Sequence, residues 1–149
     1  MEFKAKTFAQ LSTRELYEIL KSRAEIFFLE QGIVCQDMDN VDYISLHCFF
    51  EEKGRVVAYL RAFLDEDEKD TVNIGRVLTL EHGKGTGSEL MRKSIAEIAK
   101  NFSCRKIKLH AQKQAAGFYV RLGFEAVSDE FMEEGVVHIS MEKILTSKS

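Results

Sequence analysis

No proline occurs in this chain of 149 residues, so one common marker of linkers and domain boundaries is missing. Internal repeats and low-complexity tracts are absent too, and the length suits one domain, spanning 1–149, with a core of its own. Cysteine is scarce. Cys35, Cys48 and Cys104 are odd in number, widely spaced and form no C-x-x-C pair, which argues against a disulfide framework or a zinc site and for a reducing cytoplasm. No apolar run approaches the ~20 residues that a membrane helix requires, and the start MEFKAKTFAQ has no long apolar core. A soluble, unprocessed protein without a membrane partner is expected. Positive charge is not in excess either: 21 Lys and Arg stand against 24 Asp and Glu, for a net charge of -3. Such a balance speaks against a broad basic face for nucleic acid.

What is present is a regular alternation of strand-like and helix-like segments. Glu2 to Phe8 alternates as a first strand. Ser12 followed by Glu15 has the spacing of a capping box, and the apolar positions Leu16, Ile19, Leu20, Ile26 and Phe27 carry a helix to about Glu30. A long loop to Tyr43 precedes the strands YISLHCFFE and RVVAYLRAFL, joined at Gly54 as an antiparallel hairpin. The acidic DEDEKD reads as a solvated loop. The strand TVNIGRVLTL then runs into a glycine-rich turn and an amphipathic helix through about Asn101. The strand RKIKLH, a helix AQKQAAGFYVRL closed by Gly123, and two strands, FEAVSDEF and VVHISMEKI, around MEEG complete the chain.

Chemistry first shows in EHGKGTGSELMRKS, residues 81–94. Gly83, Gly85 and Gly87 let a ligand approach the backbone amides where a helix begins, and amides at a helix N-terminus suit a phosphate. Two nucleotide patterns fail here. The P-loop needs a lysine followed by Ser or Thr, but Lys84 precedes Gly85; the dinucleotide pattern needs a third glycine where Ser88 stands. The turn sits downstream of three antiparallel strands, and a second stretch, QKQAAGFYVRLGF, carries Gln112, Ala115, Tyr119, Gly123 and Phe124 at fixed spacing. In both features the chain resembles the GNAT superfamily of acyl-CoA-dependent N-acyltransferases. RAEIFFLEQGIVCQDMD, IGRV, LHAQ and EEGVVHISM resemble its ElaA-type subfamily.

The resemblance implies an α+β fold, a mostly antiparallel twisted sheet splayed at strands 4 and 5 with flanking helices. It implies acetyl-CoA as co-substrate, no metal, and a small-molecule or peptide amine as acceptor; a homodimer is compatible with it. The pyrophosphate would meet His82, Gly83, Lys84, Gly85, Thr86 and Gly87, although the family's loop usually has Arg or Gln where His82 stands. TLEHGKG is also shorter than usual and lacks the family's proline, which would weaken or rearrange that contact. The backbone around Leu78 and Thr79 would stabilise the oxyanion, and Gln112, on the same helix face as Tyr119, would bind pantetheine or help to orient the substrate. Tyr119 would protonate the leaving thiolate. Many members place a carboxylate on strand 4, but Asn73 occupies that position, so the base falls to His138, His110 or Glu30. The alternative is a catalytically silent acyl-CoA sensor or a partner-binding domain of the same fold. Asp37, Asp39 and Asp42 lack the glycine and the twelfth-position glutamate of a calcium loop and are expected to fix turns instead.

Overall fold

The computed structural model describes residues 1–145. Strand β1 (Glu2–Thr7) leads into helix α1 (Thr13–Arg23), which starts where the capping box forms. The Glu15 amide donates to Ser12 Oγ at 3.0 Å, and the Ser12 amide donates to Glu15 Oε1 at 2.8 Å. The box satisfies amides that the first helical turn leaves without partners. The expected continuation to Glu30 is not α-helical. Residues Ala24–Glu30 form a π-helix, and the Gln31 amide reaches back five residues to Ile26 O at 2.9 Å. Apolar spacing cannot distinguish the two, because both present Ile26 and Phe27 to the interior; π turns are frequent at functional sites.

Strand β2 (Leu46–Glu52) begins later than expected because Val41–Ile44 closes into a 3-10 turn. Strands β3 (Arg55–Leu64) and β4 (Thr71–Thr79) follow, then helix α2 (Thr86–Asn101) and strand β5 (Lys106–Gln112). The predicted helix over 111–122 is shorter than its pattern. Ala111 and Gln112 pair with β8, Lys113–Ala115 makes a 3-10 turn, and only Ala116–Arg121 forms α3. The penultimate strand divides into β6 (Glu125–Ala126) and β7 (Phe131–Glu133), and both pair with β8 (Val136–Ile144).

The sheet order is β1-β2-β3-β4-β5-β8-β6, with β7 also on β8. All pairings are antiparallel except β4 with β5. Side chains alternate across the sheet. On β2 and β3, Cys48, Phe50, Ala58 and Leu60 enter a core that also contains Leu90, Met91 and Ile98 of α2. Phe49 and Tyr59 point to the other face, where Ile19 of α1 and Ile26 of the π turn cover them. Burial on both faces explains why these strands read as nearly unbroken apolar runs. Among the described residues, no helix is long and apolar enough to cross a membrane.

Candidate active site

Parallel pairing of β4 with β5 runs from Thr71 opposite Lys106 to Ile74 opposite Leu109, and then ends. Beyond it, β4 stays with β3 while β5 stays with β8, so the two strands part. A bulge drives the separation. On β3, Tyr59 faces Leu78 and Arg61 faces Gly75, so three steps on β4 oppose two on β3. Arg76, inside this slip, takes φ +54°. The extra residue bends the strand and sharpens its twist. A cleft of about 950 Å³ opens between the strands. The Leu80 amide donates to Val57 O at 2.9 Å. By the alternation of an antiparallel ladder, the Leu78 amide is also committed to β3, whereas that of Thr79 turns toward the unpaired side.

The left-handed backbone at Arg76 is held by its own side chain. Its Nε donates to Asp37 Oδ1 at 2.8 Å and one terminal nitrogen donates to Asp37 O at 3.0 Å. Asp37 also accepts from Arg23 Nε at 3.0 Å, Arg23 donates to Asp42 at 2.7 Å, and Asp42 accepts from Arg61 at 3.1 Å. Arg61 grips Asp39 with two bonds of 2.8 and 2.7 Å. Three guanidinium groups thus alternate with three carboxylates. The Arg61 hydrogen bond holds Asp39 down to about 2 against its partial burial. Burial pushes the Asp42 carboxyl up, but the bonds and charge of Arg23 and Arg61 prevail and hold it below the ordinary range. His47 completes the cluster. It donates from Nε2 to Asp42 O at 2.9 Å and therefore accepts the Tyr59 hydroxyl at Nδ1, 2.6 Å away. Burial lowers its basicity, consistent with a neutral ring. The aspartates fix the loop, as expected, but they do so by fastening it to α1, β3 and the bulge.

At one end of the cleft, Gly83 and Gly85 take φ +79° and +77°, and Gly85 caps α2 with no side-chain partner. The amides of the first turn of α2 are therefore left for solvent or a ligand. Gly87 packs against the Phe118 ring, where a Cβ would lie 3.4 Å away, an ordinary contact distance. Lys84 pairs with Glu81 at 2.6 Å, and exposed His82 lies 3.7 Å from Glu30 on the π turn. Tyr119 of α3 is only 6% exposed, packed edge-on between Phe118 and Phe124. Burial pushes its phenol up to about 12, so it keeps its proton as a donor at neutral pH.

The opposite end of the cleft is built on the β7–β8 hairpin. Glu134 and Gly135 both have positive φ, as a tight two-residue hairpin requires. The turn sets Phe131 opposite His138 and Glu133 opposite Val136. Gln112 of β5 pairs with His138, and His110 lies two residues back on the same face. His110 Nδ1 meets Glu133 Oε1 at 2.8 Å, and His138 Nε2 faces Glu133 Oε2 at 3.8 Å. His138 Nδ1 donates to Val136 O at 2.8 Å. Phe131 stacks on the His138 ring and meets His110 edge-on.

A family model described as "Acetyltransferase (GNAT) domain" matches residues 34–145. The chain belongs to the GNAT acetyltransferase family. ElaA of Escherichia coli K12 is 31% identical over 91% of each chain, and the crystal structure of ElaA superimposes with a TM-score of 0.89 at 30% identity, covering 95% of this chain and 98% of that one. An acyl-CoA N-acyltransferase from Pseudomonas aeruginosa matches at 30% identity and TM-score 0.88 over 96% and 99%. UPF0039 protein C11D3.02c of Schizosaccharomyces pombe is 33% identical over 95% of each chain. The protein is a GNAT of the ElaA type, and its α+β sheet splayed at β4 and β5 is the expected fold.

The cleft of this GNAT protein is lined by every residue that the sequence suggested for the site except Glu30, which stands at the rim beside His82. Gln112 lines it from a different element than expected: it ends β5 rather than starting a helix, so it does not share a helix face with Tyr119. Its amide crosses the cleft mouth to Gln31 Oε1 at 3.0 Å. Of the two amides proposed on β4, the ladder leaves that of Thr79 turned to the open side. Asn73 is not alone at the carboxylate position, because its amide donates to Asp65 at 2.8 Å. The bond from Asn73, with backbone amides of Glu68 and Asp67, holds Asp65 below the ordinary carboxylate range, which makes it an anchor and a poor proton acceptor. Asp65 carries no pattern of its own in the sequence, and Arg76 stands there only as a member of IGRV. Glu133 was legible only as a member of EEGVVHISM, through the hairpin register that aims it at two imidazoles.

Proposed function

We propose that the protein is a cytoplasmic N-acetyltransferase that passes an acetyl group directly from acetyl-CoA to a primary amine. The reading rests on one observation: the cleft between the diverging strands joins a glycine loop at a helix N-terminus, a buried phenol and an imidazole pair. The amides of Gly83 to Gly87 and the ammonium of Lys84 receive the pyrophosphate. The Thr79 amide, turned to the unpaired side of β4, stabilises the carbonyl oxygen as it gains charge. The neutral amine attacks the thioester carbon, the C–N bond forms and the C–S bond breaks. Tyr119 gives its proton to the departing sulfur and regains one from the attacking nitrogen through water. The remaining proton leaves through His138, so that an ammonium and acetyl-CoA become an amide, free CoA and one solvent proton. No protein nucleophile takes part.

Calorimetry with acetyl-CoA and thiol release over a panel of primary amines test the assignment together. Acetyl-CoA at 100 times its dissociation constant is expected to stabilise the fold by ~2.7 kcal/mol. Stabilisation without turnover on any amine would leave a silent acyl-CoA sensor. No binding at millimolar CoA would remove both enzyme and sensor and leave a partner-binding domain.

A further inference from the structure

Two hydrogen-bond acceptors converge at the His138 end of the cleft, and among the described residues no hydrogen-bond donor reaches His138 Nε2 or Glu133 Oε2. His138 Nδ1 must carry hydrogen, because its partner, Val136 O at 2.8 Å, can only accept. In the neutral ring, Nε2 then presents a lone pair. It faces Glu133 Oε2 at 3.8 Å, beyond hydrogen-bond reach, while the other oxygen of Glu133 is taken by His110 at 2.8 Å. His138 cannot turn away to find another donor. Its ring is pinned by the Val136 bond and stacked on Phe131, and the residue is only 7% exposed. A carboxylate oxygen and an imidazole lone pair side by side repel; a proton on Nε2, or a donor with at least two hydrogens placed between them, makes the contact favourable.

We propose that this gap is the seat of the acceptor's ammonium, with Glu133 a catalytic residue of the transfer. The inference rests on the acetyltransferase reading above. One N–H of the ammonium donates to Glu133 Oε2 and a second to His138 Nε2. The second proton passes to Nε2, which leaves a neutral amine and an imidazolium beside Glu133; the carboxylate offsets that new charge. The amine lone pair is then free to attack the thioester carbon, and His138 returns its proton to solvent. His110, bonded to the other carboxylate oxygen, fixes the plane of Glu133 so that Oε2 stays turned to the gap. Tyr119, Gln112 and Glu134 line the same cleft, and none has a bond to Oε2 among the described residues. An acceptor without a protonated amine gains nothing from the carboxylate.

The test uses the full chain saturated with CoA, titrated with n-butylammonium chloride and followed through the imidazole nitrogen resonances of His138 and His110. Saturable movement of the His138 Nε2 resonance is expected. In Glu133→Gln the titration should weaken by at least about 5-fold, because the amide keeps the shape but not the charge, while the affinity for CoA stays within about 2-fold. Tetramethylammonium, which has charge but no N–H, should not move the resonance. Equal butylammonium affinity in Glu133→Gln, or a His138 resonance indifferent to the amine, would overturn the seat. Failure of CoA itself to bind would instead strike the acetyltransferase reading, so the two failures are told apart in the same sample.

Discussion

Replacing Asp42 by alanine should destabilise the protein more than any exposed charge deletion. Its Oδ1 accepts from Arg23 at 2.7 Å and from Arg61 at 3.1 Å, and the two arginine side chains are 0% and 4% exposed. The variant leaves three guanidinium groups over two carboxylates. Removing one partner from a buried ion pair costs ~3–5 kcal/mol. Here Arg23 keeps Asp37 and Arg61 keeps both bonds to Asp39, so the lower end, about 3 kcal/mol, is expected. For a chain of this size that is a fall in Tm of about 6–12 °C. Asp42→Asn retains the acceptor oxygen without its charge and should lose about half as much, since a charge-assisted bond is about twice as strong as a neutral one. Urea unfolding followed by circular dichroism measures both, with an unchanged slope and a lower midpoint expected. The sign with pH is also fixed. Because the folded carboxyl sits below its unfolded value, its contribution is complete above about 3.9 and is lost as pH falls through the lower, folded value. The acid limb of the stability curve should therefore flatten in Asp42→Ala. A loss below about 1 kcal/mol at neutral pH would mean that the ion cluster does not support the loop, since so small a value belongs to exposed pairs.

Three other variants probe the site and the frame around it. Tyr119→Phe keeps the edge-on packing with Phe118 and Phe124, and turnover should fall by about 100-fold with CoA affinity preserved; unchanged turnover in a rate-limiting chemical step would remove the phenol from the mechanism. His82→Arg places a permanently charged fork at the head of the glycine loop, within reach of Glu30, and should tighten CoA binding at pH 8 as read by calorimetry. No gain there would mean that residue 82 faces solvent in the complex. Burial raises the Glu15 carboxyl, but the bonds from Lys6, the Ser12 amide and Lys4 outweigh it and bring it down to about 2. Its stabilisation, about 1–3 kcal/mol after screening, should be complete above about 4.5 and fade as pH falls through about 2. Glu15→Gln should remove that acid-dependent part in thermal scans between pH 2 and pH 6, and an identical pH slope would refute the assignment.

Local patterns carried the frame of this protein because their causes are local. The Ser12–Glu15 box, the bounds of β3, the glycine run before α2 and Gly123 after α3 each depend on backbone preferences within a few residues. The resemblance carried by the glycine run, QKQAAGFYVRLGF and EEGVVHISM implied one site for the loop, Tyr119 and the two histidines. Tertiary structure decided whatever depends on partners distant in sequence. Gln112 became a strand residue because β8 supplied a pairing edge, and a helix-like pattern cannot anticipate a ladder with His138. The π turn, the Arg76 bulge and the clamp from Asp37, 39 residues away, have no periodic signature. Glu133 and His110 lie 23 residues apart, and only the hairpin register and the packing of β8 between β5 and β7 turn their side chains toward one another. Hydrophobic alternation sets which face a side chain occupies, but the chemistry of the cleft depends on which residues from different strands share that face, and sheet order and register together determine that.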